Sequence, residues 1–367
     1  MDFIDLKSQY KQYKEEIDSE IADVLTSASF ILGEKVTSLE DKLKLFVNSK
    51  HALGVSSGTD ALILSMMALG ISAGDEVITT PFTFIATAES IMLLGAKPVF
   101  VDIDPLTYNI DASLIEDAIT SKTKAIMPVS LYGQCADFEK INEIASKYNL
   151  KVIEDGCQSF GARANEGRSC GLSDLGCTSF FPSKPFGCYG DGGMIFTNDD
   201  ELYEIMKQIR VHGQNERYNH VRLGINGRLD SLQAAILLGK LPYFEGELKS
   251  REEKGEYYIT HLSEAEGIVT PFVREGNRHV FAQFSIQVGN RDKLQEYLRG
   301  KDIPTAIHYP IPLHLQPVFK HLGFSEGDFK IAEAVSNKII SLPMHPFLEK
   351  DTQDHIIEEI LKGVRLT

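Results

Sequence analysis

Apolar and polar positions alternate along this chain with two different periods. Between about residues 7 and 48 the apolar positions recur at helical spacing, with Val36, Leu39, Leu43 and Phe46 on one face. The stretch Ser27–Gly33 interrupts that pattern and predicts a break between helices. From residue 51 short apolar runs alternate with helical patterns. His51–Val55, a strand around Val77–Thr79, Pro98–Asp102, Lys124–Ser130, Lys151–Glu154, a run ending near Ser179 and Met194–Thr197 read as strands. Helices are predicted from Gly58, over about 85–94, and over Asp137–Tyr148. This alternation predicts βαβ units and a mainly parallel sheet. Beyond 200 the pattern turns helical: a long polar loop over 211–228, a helix over 229–238, then a charged helix to about 263. From 245 onward a smaller α+β domain is expected, with a strand at Val280–Val288 and a helix over 291–300. The domains therefore read as 1–244 and 245–367. No internal repeat is visible.

Composition narrows the class. At 367 residues, 43% apolar and 24% charged, the chain is an ordinary globular protein large enough for two cores. A net charge of −15 argues against broad binding to nucleic acid or anionic membrane. Any anionic ligand must be held locally. Five cysteines, an odd number without a C-x-x-C pair, read as reduced thiols of a cytoplasmic protein. No apolar leader or membrane span is apparent.

In mainly parallel sheets ligands bind beyond the carboxyl ends of the strands. Four features follow strand ends directly. Ser56–Thr59 makes a small-residue turn into a helix, where free backbone N–H groups and the helix dipole favour a phosphate. Phe82 follows the strand ending near Thr79 and offers either a flat ring or packing. Asp155 closes another strand, with Gln158 three residues on. Lys184 sits in the turn after Ser179, where a desolvated ammonium is costly unless the amine is used in chemistry.

Together these groups suit pyridoxal phosphate. Gly58, Thr59 and Ser179 would hold its phosphate, Lys184 its aldehyde, Asp155 its protonated ring nitrogen and Gln158 its ring hydroxyl. Lys184 and Asp155 are the candidate catalytic residues.

At the level of motifs the chain resembles the DegT/DnrJ/EryC1/StrS group of nucleotide-sugar aminotransferases. The resemblance is carried by Ser57–Leu62, Thr80–Thr87, Val129–Gln134, Ile153–Ala162, Ser179–Lys184, Gly190–Gly193, Gly224–Asp230 and His308–Pro310. It implies a fold-type I, aspartate aminotransferase-like α/β enzyme with a large sheet domain and a smaller C-terminal domain. It further implies a homodimer with shared active sites, in which Asn226 reaches the neighbouring subunit's cofactor phosphate. Arg228, His308 and Tyr309, with Ser183 and Phe30, would lie near a UDP- or dTDP-keto-sugar, and glutamate would be the amino donor.

Within that group Ser183–Gly193, with Asp191 in place of Glu, is similar to members that aminate C3. A sugar of the 2-acetamido-3-oxo-glucuronate type, used in bacterial surface polysaccharides, fits best; a C4 aminotransferase stays open. Gly156-Cys157 departs from the usual pair of small, alanine-like residues, and Phe30 stands where a tyrosine is expected. A dehydratase of this group would carry histidine for Lys184, and a nicotinamide enzyme would carry an early G-x-G-x-x-G that is not found. A non-catalytic regulator would have lost Lys184 or Asp155, and both are present.

Overall fold

The computed structural model describes residues 1–165 and 167–366. Seven strands form the main sheet, in the order His51–Val55, Gly193–Thr197, Leu175–Ser179, Lys151–Asp155, Thr123–Ile126, Glu76–Thr79, Lys97–Phe100. Gly193–Thr197 runs antiparallel to both neighbours, and the remaining pairs are parallel.

Side chains alternate across this sheet, so each strand feeds two cores. Ala52, Ile126, Val152, Met194 and Phe196 point to one side, where Glu34–Val47, Phe138–Tyr148 and the long helix Ser231–Leu262 cover them. Leu53, Val55, Val77, Ala125, Ile153 and Ile195 point to the other, beneath Gly58–Ala68 and Asp200–Ile209. Near-continuous apolar runs are what a sheet buried on both faces requires.

The C-terminal part builds a second, antiparallel sheet from Ile268–Val269, Phe284–Val288 and Ile339–Leu342. Helices Arg291–Arg299 and Lys350–Leu366 bury Leu294, Leu298, Ile356 and Ile360 against it.

Three expectations change. The break expected after residue 238 is absent: Ser231–Leu262 is one helix of 32 residues, with Pro242 inside it. Proline forfeits one helical hydrogen bond, and burial of Leu237, Leu238, Phe244 and Leu248 outweighs that local cost. Position 245 therefore lies within a helix that serves both sheets. The strand expected from Val280 begins at Phe284, because Val280 donates instead to the Gly133 carbonyl (2.9 Å) and Phe281 turns to φ +42°. The loop 211–228 contains a short hairpin, Gln214–Glu216 with Asn219–His220. Among the described residues no helix is long and apolar enough to cross a membrane.

Candidate active site

Strand register brings the expected residues to one edge of the sheet. Val55 and Ser179 both pair with Gly193, and Asp155 pairs with Cys177, two residues before Ser179. The turn after Val55, the loop after Asp155 and the lysine loop after Ser179 therefore leave the sheet side by side.

Ser57 caps the helix Gly58–Ala68, its Oγ accepting from the Asp60 amide at 3.0 Å. Gly58 starts that helix so close to its neighbours that a Cβ there would meet Ser179 Cβ at 2.7 Å and Cys157 Sγ at 2.8 Å. Only glycine lets the helix start approach both loops. Ser179, whose Oγ accepts from the Phe181 amide at 3.2 Å, thereby faces the first turn with its dipole and N–H groups.

Asp155 is 5% exposed. Thr87 Oγ1 donates to its Oδ2 at 2.7 Å and the Cys157 amide to its Oδ1 at 3.2 Å. No cationic side chain lies within ion-pair distance of it among the described residues. A buried carboxylate held by neutral donors alone is an unbalanced charge, and a ligand bearing a protonated ring nitrogen balances it. Gln158 is also buried; its Oε1 accepts from the Tyr132 amide and its Nε2 donates to Tyr309 Oη, both at 3.0 Å. One Nε2 hydrogen remains for a ligand.

Lys184 is half-buried, in a turn closed by its own amide on the Phe181 carbonyl at 2.9 Å. Its charge is felt at two neighbours. Burial, and then Lys184, hold His308 down to about 4, while His308 Nδ1 lies 2.9 Å from Ser341 Oγ. The Cys157 thiol is pushed far up by burial and by Asp155, with Lys184 pulling the other way. Tyr309 is raised by burial and by the Asp155 charge, against its bond to Gln158. Lys184, Asp155, Cys157, Gln158, His308 and Tyr309 thus share one electrostatic environment, with Gly58 and Ser179 at its rim.

Phe82 is a correction. It has no exposed surface, because Tyr108, Tyr132 and Tyr309 meet it edge-on with centroids 6.4 Å away, so it packs and shows no free face. Phe84, two residues on, is 54% exposed and 6.2 Å from Tyr309, and is the aromatic with a face to offer. Thr87 also escaped the sequence reading, although both residues lie in the motif Thr80–Thr87. Gly227 and Arg228 join the strand end at Val55, where Gly227 accepts from the Ser56 amide at 3.1 Å. Arg228 Nε is buried with no hydrogen-bond partner among the described residues. Ser183 is half-buried beside Lys184, whereas Asn226 and Phe30 lie on the surface.

The donor set fits pyridoxal phosphate at each end: an amine, a buried carboxylate lacking a cation, and a helix start narrowed by glycine. A solved relative carries that chemistry. NtdA of Bacillus subtilis, with bound PMP cofactor, superposes with a TM-score of 0.91 at 32% identity, over 99% of this chain and 83% of that one. The fold and site are those of a pyridoxal-phosphate-dependent transaminase. Residues 11–361 match the DegT/DnrJ/EryC1/StrS aminotransferase family, and the chain belongs to it. It is 53% identical to the UDP-2-acetamido-2-deoxy-3-oxo-D-glucuronate aminotransferase of Pseudomonas aeruginosa, over 95% of this chain and 96% of the relative. It is also 48% identical to a pleiotropic regulatory protein of Geobacillus stearothermophilus, over 99% and 98% of the two chains.

Proposed function

We propose that this transaminase moves an amino group from glutamate to C3 of a UDP-linked 3-keto sugar of the 2-acetamido-3-oxo-glucuronate type. It would do so as a cytoplasmic homodimer supplying bacterial surface polysaccharide such as O-antigen. The observation that carries the sugar assignment is the 53% identity, nearly end to end, to the P. aeruginosa aminotransferase named for that substrate. The C3-type motif around Asp191 supports it.

Bound pyridoxal phosphate supplies a carbonyl that exchanges nitrogen with amino donors and a cationic ring that accepts the electron pair released on the way. The chain supplies the rest. Lys184 Nζ would hold the cofactor and would take and return the proton that moves during transfer. Asp155 keeps the ring nitrogen protonated, and Thr87 Oγ1 and the Cys157 amide fix its carboxylate. The free hydrogen of Gln158 Nε2 would be donated to the ring hydroxyl. Amides of Gly58 and Thr59 and the Ser179 hydroxyl would receive the phosphate, and Asn226 of a second subunit would join them. His308, neutral at physiological pH, works with Tyr309, Arg228, Ser183 and Phe30 to receive the sugar nucleotide.

The regulator's name on the Geobacillus relative favours a second reading, in which the scaffold senses but does not catalyse. Retention of Lys184 and Asp155 in a connected site supports the enzyme. The test supplies UDP-linked 3-keto and dTDP-linked 4-keto sugars with glutamate and follows the aminated product by mass spectrometry. Product from the 3-keto sugar alone is expected. Amination of only the 4-keto sugar would overturn the C3 assignment, and no product from either would favour the regulator.

A further inference from the structure

Lys240 lies in the long helix Ser231–Leu262 and is 3% exposed. No carboxylate lies within ion-pair distance of it among the described residues. A methionine would fill the same space without desolvating an ammonium, so packing alone does not account for a lysine here. Its Nζ donates to the backbone carbonyl of Gly187 and sits 5.3 Å from the centroid of Tyr189. Seven residues earlier, two turns along the same face, Gln233 Oε1 accepts from the Tyr189 amide at 3.0 Å. One stripe of the helix therefore grips Gly187 and Tyr189, both on the return arm of the loop that presents Lys184.

That arm has little freedom elsewhere. The Cys188 amide donates to the Phe180 carbonyl at 2.7 Å, and Phe186 is buried against Phe160, Phe180 and Phe244. A Cβ on Gly187 would stand 2.6 Å from the carbonyl oxygens of Phe181 and Pro182. Since the Lys184 amide bonds to the same Phe181 carbonyl, any shift of Gly187 is passed to the backbone of Lys184.

We propose that Lys240 is a positioning residue for Lys184: through the Gly187 carbonyl it sets the height of the loop from which Lys184 reaches the cofactor. The inference rests on Lys184 being the residue that holds pyridoxal phosphate. Burial brings the Lys240 ammonium down to about 8, with Glu247 and Cys188 opposing, so at neutral pH it is mostly charged and a strong donor to that carbonyl.

Borohydride reduction of the wild-type holoenzyme, followed by peptide mass spectrometry, first identifies the labelled lysine without reference to turnover. Cofactor-free wild type, Lys240→Met, Lys240→Gln and Lys240→Arg are then supplied with pyridoxal phosphate. The rate of borohydride-trappable attachment is measured beside kcat, KM and Tm. Label on Lys184 is expected throughout. In Lys240→Met, attachment rate and kcat fall about tenfold while the sugar KM moves less than about twofold. Lys240→Gln should fall between, Lys240→Arg should recover most of the rate, and Tm of Lys240→Met should not drop. Attachment at the wild-type rate in the methionine or glutamine variant overturns the proposal, and if only Tm falls, Lys240 serves stability alone. Label on a different lysine in the wild type overturns the Lys184 assignment and this inference together.

Discussion

Around the seven-stranded sheet the fold buries groups made to carry charge. Among the described residues, Asp155 sits at 5% exposure without a cation within ion-pair distance, and Lys240 at 3% without a carboxylate within that distance. Beside Asp155, Glu154 has no exposure at all; burial pushes it up to about 7 despite hydrogen bonds from Ser130, Ser169 and the Cys170 amide. The C-terminal part also buries a charge, Arg251 at 3% exposure on the Phe281 and Met344 carbonyls, but it keeps three histidines uncharged. Burial holds His279 down to about 3, and His308 and His345 to about 4, so all three stay neutral near pH 7. Uncompensated charge is destabilising, and Asp155 carries it at the edge of the sheet where the lysine loop emerges. His308 belongs to both regions, since it rises from the C-terminal part into reach of the Lys184 charge.

Replacing the amine tests the charged side of this contrast most severely. Lys184→Ala should lose at least about a thousandfold in kcat while the sedimentation of the protein is unchanged. Turnover near wild type would remove the lysine from the mechanism. Asp155→Asn keeps the shape and removes the negative charge, and should slow turnover by about a hundredfold or more. If it does not, the unbalanced carboxylate has no catalytic purpose. Thr87→Val withdraws one of the donors that fix that carboxylate and should cost about tenfold in kcat, with the melting temperature little changed. An unaltered kcat would leave Thr87 as a packing residue.

The neutral side is tested by acid. Each of the three histidines has a folded value below the ordinary 6.5, so between those values the unfolded chain binds more protons. Their contribution to stability is complete above about pH 6.5 and is lost as the pH falls through about 4 for His308 and His345 and about 3 for His279. Urea midpoints measured across that range should decline with pH, and the triple replacement of these histidines by glutamine should flatten the decline. An equally steep decline in the triple variant would place the acid sensitivity elsewhere.

Much of the site was legible in the chain because its parts are local. Strand His51–Val55, the small-residue turn and the capped helix Gly58–Ala68 follow one another directly, and Asp155 and Gln158 are three residues apart. The alternating strand pattern also gave the sheet and the edge to which these parts converge. What escaped depends on contacts distant in sequence. Phe82 and Phe84 are equivalent as sequence, and only the three tyrosines gathered from residues 108, 132 and 309 decide which ring is enclosed. Thr87 acquires its meaning from a carboxylate 68 residues away, and Lys240 from a carbonyl 53 residues away. The continuous helix through Pro242 is likewise a tertiary result, since burial on both sides of the proline overrides its local preference.

The central claim is that Lys184 and Asp155 hold pyridoxal phosphate for transfer of an amino group. It is tested most directly by the absorbance spectrum of the purified protein supplied with pyridoxal phosphate, recorded before and after glutamate is added. A visible band from the lysine-bound cofactor that disappears with glutamate is the predicted result. A protein that stays colourless with the cofactor present would contradict the account.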